Sequence, residues 1–194
     1  MIWLVAGLIL FLGVHSTGLL APAWREQQIS KLGKPTWKGI YALLSLVGLV
    51  LIVIGYGQAR MEPTWIWMPP VGLRHLVLLL MVPVFILLVA TYVPGNAIRA
   101  KLGHPMLAAV KLWALSHLLA NGTVADILLF GSFLAWAVAG FVVLRRRDRM
   151  AGKEPEASNT KATAGTIVGG LVLWYVFAAY LHVWLFGVSP MPGG

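Results

Sequence analysis

LRHLVLLLMVPVFILLVATYV, residues 73–93, decides the fold. Beyond Arg74 and His75 the run carries no charged side chain to its end. A helix needs about 20 mostly apolar residues to cross the hydrocarbon of a bilayer, and this run supplies them. The same reading extends outward to residues 2–21, 40–57, 105–121, 125–144 and 166–186. These runs are too long and too evenly apolar for buried soluble strands, and they lack the polar alternation of an outer-membrane barrel. Backbone groups in lipid must be satisfied internally, so helices are expected. The fold class is therefore all-α, a polytopic membrane bundle of about six transmembrane helices forming one domain over residues 1–194.

Composition agrees. Of 194 residues, 59% are hydrophobic and 11% charged, against about half and a quarter in soluble domains. Local signals mark the connections. Pro105 suits a first helical turn, where its missing N–H has no partner to lose. Asn121-Gly122 suits a helix stop, and the tip 120–123 is read as a tight hairpin between the fourth and fifth spans. Residues 150–164, rich in Gly, Glu, Ser, Asn, Thr and Lys, are read as a flexible cytoplasmic linker. The first span lacks a basic stretch before it and is long for a signal peptide, so it is read as retained. Trp65, Trp67 and Met68 suit an interfacial loop.

The formal charge of +9 is distributed by loop. Arg25, Lys31, Lys34 and Lys38 lie in the first loop, Arg99 and Lys101 in the third, and Arg145, Arg146, Arg147, Arg149, Lys153 and Lys161 in the fifth. Even loops are poor in cations. The positive-inside rule then puts both termini on the non-cytoplasmic side. The basic residues are read as topology signals that meet anionic lipid, and a nucleic-acid partner is not expected. Cysteine is absent, which excludes disulfides and thiolate ligands.

Histidines supply the candidate chemistry. His15, His75, His104, His117 and His182 all fall within or at the ends of spans, whereas acidic residues are almost confined to loops. Paired-carboxylate catalysis lacks its parts. Neutral imidazole is the ligand least costly to bury in lipid, and imidazole with methionine suits haem iron or copper better than magnesium or calcium. Each ring also has a plain reading: interhelical hydrogen bonds for His15 and His117, headgroup contact for His75, a capping or solvated position for His104. Tyr175 and His182, seven residues apart, are expected on one helical face as a hydrogen-bonded pair. Lys111, two turns beyond His104, is expected to snorkel to the basic surface.

The run Leu102-Gly103-His104-Pro105-Met106, leading to Leu112-Trp113-Ala114-Leu115-Ser116-His117-Leu118-Leu119-Ala120-Asn121-Gly122, resembles the signature of NnrU-family membrane proteins. Phe11-Leu12-Gly13-Val14-His15-Ser16, Arg74-His75-Leu76, Tyr92-Val93-Pro94 and Leu129-Phe130-Gly131-Ser132-Phe133 resemble it further. The resemblance implies a bacterial inner-membrane protein supporting the expression or activity of nitrite and nitric oxide reductases in denitrification. The family is related to the plant and cyanobacterial zeta-carotene isomerase, a membrane enzyme that holds haem b. Carried over, the haem ligands fall on His15 and His117, with His104 in a supporting role.

Depth arithmetic offers a second pair. His15 lies past the middle of its span towards the cytoplasm and His117 towards the outside. At 1.5 Å per residue the offset is on the order of 10 Å. His75 and His182 share the layer of His117, so His75/His117 is the alternative pair. What the resemblance implies is a haem-b-binding protein of a redox pathway with a redox partner protein. The alternatives are a haem-dependent cis–trans isomerase acting on a lipid-phase isoprenoid or carotenoid, and a cofactor-free structural membrane partner. A membrane methyltransferase, whose cofactor motif opens Arg-His-Pro, is disfavoured because Gly103 stands in place of the arginine.

Overall fold

Proline and glycine set most of the helix boundaries. In the computed structural model, which describes residues 1–191, α1 spans Ile2–Leu20, α2 Pro22–Leu32, α3 Lys34–Met61 and α4 Gly72–Tyr92. They are followed by α5 Ala97–Leu102, α6 Pro105–Ala120, α7 Val124–Met150 and α8 Thr160–Val176. A π-helical turn, Phe177–Leu181, continues α8 into α9, His182–Phe186. Among the described residues there is no strand, only an isolated bridge between Trp65 and Thr123.

Pro22, Pro35 and Pro105 each sit in a first helical turn, where their fixed φ is already helical. Gly33 and Gly103 turn the chain with φ of 81° and 73°, a region other residues enter only with strain. Asn96 and Asn159 cap α5 and α8 by accepting the Arg99 and Ala162 N–H groups. Thr123 and Asp126 form a reciprocal capping box at the start of α7.

Five helical units, α1, α3, α4, α7 and Thr160–Phe186, are long and apolar enough to span a membrane. The protein is a multi-pass integral membrane protein. In α3 only 17% of the apolar window is buried inside the bundle, and Leu43, Leu46 and Val53 are exposed. Such a surface is far beyond what a monomer shows to water, and lipid covers it. At 28 residues, α3 is about 42 Å long, the thickness of a bilayer with its headgroup layers.

With 16 residues, α6 is about 24 Å long, shorter than the hydrocarbon. The loop after α3 makes up the difference. Ile66 and Trp67 donate backbone N–H bonds to the Gly122 carbonyl at 2.8 and 3.2 Å, and Val124 donates to Thr64 at 2.9 Å. The Trp67 carbonyl occupies the space a Cβ on Gly122 would need. The tryptophan loop thus closes over the α6–α7 tip.

Packing runs α3–α1–α7–α6–α4–α8 across the bundle. The α1–α3 seam is built on glycine. A Cβ on Gly48 would stand 2.9 Å from the Phe11 nitrogen, one on Gly7 would stand 2.6 Å from the Ile52 nitrogen, and Gly55 faces the Leu4 backbone. Small residues let helices approach where lipid removes any hydrophobic drive between them. At the far edge, Trp174 donates its indole N–H to the Leu78 carbonyl at 3.1 Å. That bond ties α8 to α4 beside the break that Pro83 makes in the helical ladder. Arg147 of α7 donates to the Gly18 and Leu19 carbonyls at 3.0 and 2.6 Å, satisfying carbonyls left open at the end of α1.

Several expectations are corrected. The connection expected over residues 150–164 is shorter, because Asn159 caps α8 and helix resumes at Thr160. Short polar helices α2 and α5 occupy what was read as loop; a search for long apolar runs does not find them. The π turn inserts between Tyr175 and His182 and rotates them off a common face. His182 instead bonds the Val188 carbonyl at 2.6 Å.

Candidate functional site

Two imidazoles share one feature imposed by their own helices. His15 Nδ1 lies 2.7 Å from the Phe11 carbonyl and His117 Nδ1 lies 2.9 Å from the Trp113 carbonyl. A carbonyl only accepts, so in each ring Nδ1 carries the hydrogen and Nε2 carries the lone pair in the neutral form. His182 is tied in the same way to Val188. A ring held by Nδ1–H with Nε2 left as donor atom is the arrangement protein metal ligands use.

Aromatic rings connect these two histidines and also keep them apart. His15 stacks on Phe11 with centroids 4.2 Å apart; Phe11 packs on Phe133 at 5.8 Å, Phe133 on Trp113 at 5.5 Å, and Trp113 on His117 at 5.2 Å. His117 also stacks on Phe130 at 4.7 Å, and His15 meets Trp136 edge-on at 6.3 Å. Phe130 and Trp136 are six residues apart on α7, about 9 Å of rise. Two imidazoles on one iron place their nitrogens about 4 Å apart, twice a metal–nitrogen bond of about 2 Å. His15 and His117, expected to share an iron, are therefore separated by a filled aromatic layer.

The alternative pair joins two neighbouring helices. His75 is in the first turn of α4 and His117 in the last turn of α6, and these helices pack together. His75 is exposed on the bundle surface. His104 lies at the other end of α6, and its Nε2 is 2.8 Å from Asp148 Oδ2. It stands at the N-cap position of α6 without a side-chain cap bond and instead ties α6 to α7 through Asp148. Lys111 does not simply snorkel: its ammonium sits 3.6 Å from the centroid of the Phe141 ring, a cation–π contact.

Among the described residues no three of His, Asp and Glu converge to hold a bare metal ion. Iron porphyrin brings four nitrogens of its own and asks the protein for one or two. At His117 the donor chemistry fits it: a neutral imidazole of fixed tautomer among aromatic rings. The His15/His117 clamp does not fit.

Two groupings of residues were not foreseen in the sequence. Tyr56 of α3 donates to Asp126 Oδ1 at 2.6 Å, while Thr123 donates its N–H and O–H to Oδ2 at 2.9 and 2.6 Å. Asp126 is only 4% exposed, so its carboxyl is buried and fully hydrogen-bonded. Replacing it with alanine leaves those donors orphaned and should cost about 2–4 kcal/mol of stability, read as a lowered thermal midpoint in detergent. An unchanged midpoint would show the network to be dispensable. The second group lines a cavity of about 290 Å³ between α1, α2 and α3, walled by His15, Thr17, Arg25, Trp37, Lys38 and Tyr41. No signal of spacing marks it, because its walls come from three helices.

No curated protein and no solved structure matches the chain. A family model described as NnrU protein matches residues 3–190, nearly the whole chain, and the chain belongs to the NnrU family.

Proposed function

We propose that this protein is a haem-b protein of the bacterial inner membrane that supports denitrification, through the expression or activity of nitrite and nitric oxide reductases, with both termini outside the cytoplasm. The observation that carries the reading is His117, an imidazole within the bundle whose Nδ1–H is committed to its own helix and whose Nε2 lone pair is left for a ligand. His75, on the neighbouring helix α4, is the candidate second imidazole. Family membership supports the pathway.

The chain's own residues have defined parts. His117 holds the iron, Trp113 and Phe130 fix its ring, and the surrounding apolar side chains exclude water. The iron, when bound, supplies one-electron exchange or an open position for a small diatomic such as nitric oxide. A redox partner protein in the same membrane follows from that chemistry.

The test is absorbance of the detergent-purified protein, oxidised and then reduced with dithionite. A Soret band that sharpens and shifts on reduction, at near one haem per chain, is expected. A second reading, a cofactor-free structural partner, is favoured by the aromatic rings that fill the space between His15 and His117. Absence of any Soret band after expression with ample haem would select it.

A further inference from the structure

The cavity between α1, α2 and α3 has chemistry of its own. Arg25 and Lys38 stand in its wall with the Tyr41 hydroxyl, and no carboxyl group lines it. Several basic groups at this end of the bundle are engaged elsewhere. Arg99 pairs with Glu156, His104 and Lys153 meet Asp148, and Arg147 bonds the carbonyls of Gly18 and Leu19. Among the described residues Arg25 and Lys38 form no ion pair, and Arg25 is half-buried.

The surrounding backbone favours negative charge in the cavity. Trp37 ends the first turn of α3, whose positive dipole end adds a weak favourable field there. The opposing negative end of α1 also borders the cavity at Gly18, but Arg147 has taken its carbonyls. Trp24 and Trp37 pack edge-on at 5.7 Å, an aromatic pair suited to the headgroup layer. A volume of about 290 Å³ is at the lower limit of small-molecule sites. It suits a compact anion and not a nucleotide.

We infer that this cavity binds a phosphate-bearing anion, held by Arg25, Lys38 and the Tyr41 hydroxyl, as a lipid headgroup or as free phosphate. The site is at the opposite end of the bundle from His117, so it stands independently of haem binding.

The experiment uses the full chain in a nonionic detergent and native mass spectrometry. Phosphatidylglycerol, phosphatidylcholine and inorganic phosphate are titrated separately. One saturable anion per chain is expected. Arg25→Gln with Lys38→Gln should weaken it about 30-fold, each interfacial cation contributing about fivefold. Lys31→Gln with Lys34→Gln, an equal loss of charge outside the cavity wall, should change it less than about threefold. Lys38→Gln alone, at an exposed position, should give about fivefold without disturbing the fold. Saturable binding of phosphatidylglycerol but not inorganic phosphate assigns a lipid headgroup; the reverse assigns free phosphate. The proposal is overturned if neither binds saturably, if phosphatidylcholine binds as tightly as phosphatidylglycerol, or if both pairs of substitutions weaken binding equally.

Discussion

Leucine in place of Gly55 is expected to break the α1–α3 seam. The position a Cβ would take on Gly55 is already occupied by backbone atoms of Leu4 and Trp3, and backbone cannot swing aside as a side-chain tip does. Overpacking a core commonly costs 1–3 kcal/mol. Here the clash is with main chain on a seam that also depends on Gly7 and Gly48, so a loss above about 3 kcal/mol is expected. Two residues further along α3, Gly57 meets nothing within 4 Å. Gly57→Leu is therefore the control, equal in composition and nearly neutral in effect. The measurement is the thermal midpoint of each variant in the same detergent. Equal midpoints would mean that the seam has no part in holding the bundle together.

Histidine substitutions should separate the two ligand pairs. His117→Ala should reduce haem content to below about a tenth of wild type, since a lost second-shell partner alone can cost 10–100-fold. His15→Ala should leave the Soret band intact, because Phe11, Phe133 and Trp113 intervene between His15 and His117. His75→Ala should retain haem but alter the reduced spectrum, the change expected if His75 supplies the second imidazole. His117→Gly with free imidazole added to the purified protein gives a further readout. Recovery of the band distinguishes a missing ligand from a collapsed bundle. A normal spectrum in His117→Ala would remove His117 from the site, and loss of haem in His15→Ala would restore the pair implied by family resemblance.

Legibility along the chain followed the kind of signal involved. Apolar length located the spanning helices, and Pro105 and Asn121 marked the ends of α6 correctly. Polar helices α2 and α5 were missed because nothing in their hydropathy distinguishes a helix from a loop at a membrane surface. Tyr175 and His182 were expected to share a face by a seven-residue spacing that holds only in an unbroken α-helix, and the π turn Phe177–Leu181 breaks it. His104 was legible as the residue before α6. Its partner Asp148, on the last turns of α7, was not. The depth mismatch of His15 and His117 was legible by counting residues; the aromatic layer between them was not.

By itself the sequence determined that the chain is a helical membrane protein and roughly where each helix crosses. These follow from hydropathy and length, which add up along one strand of chain and need no neighbour to be defined. Only the tertiary structure decided which helices touch, that glycines make the α1–α3 seam, and that Arg25, Lys38 and Tyr41 wall one cavity. The reason is that a lipid-embedded helix is apolar on all sides. With no polar stripe to mark its outer face, rotation and partner are set by shape at the contact, a property that exists only once two helices meet.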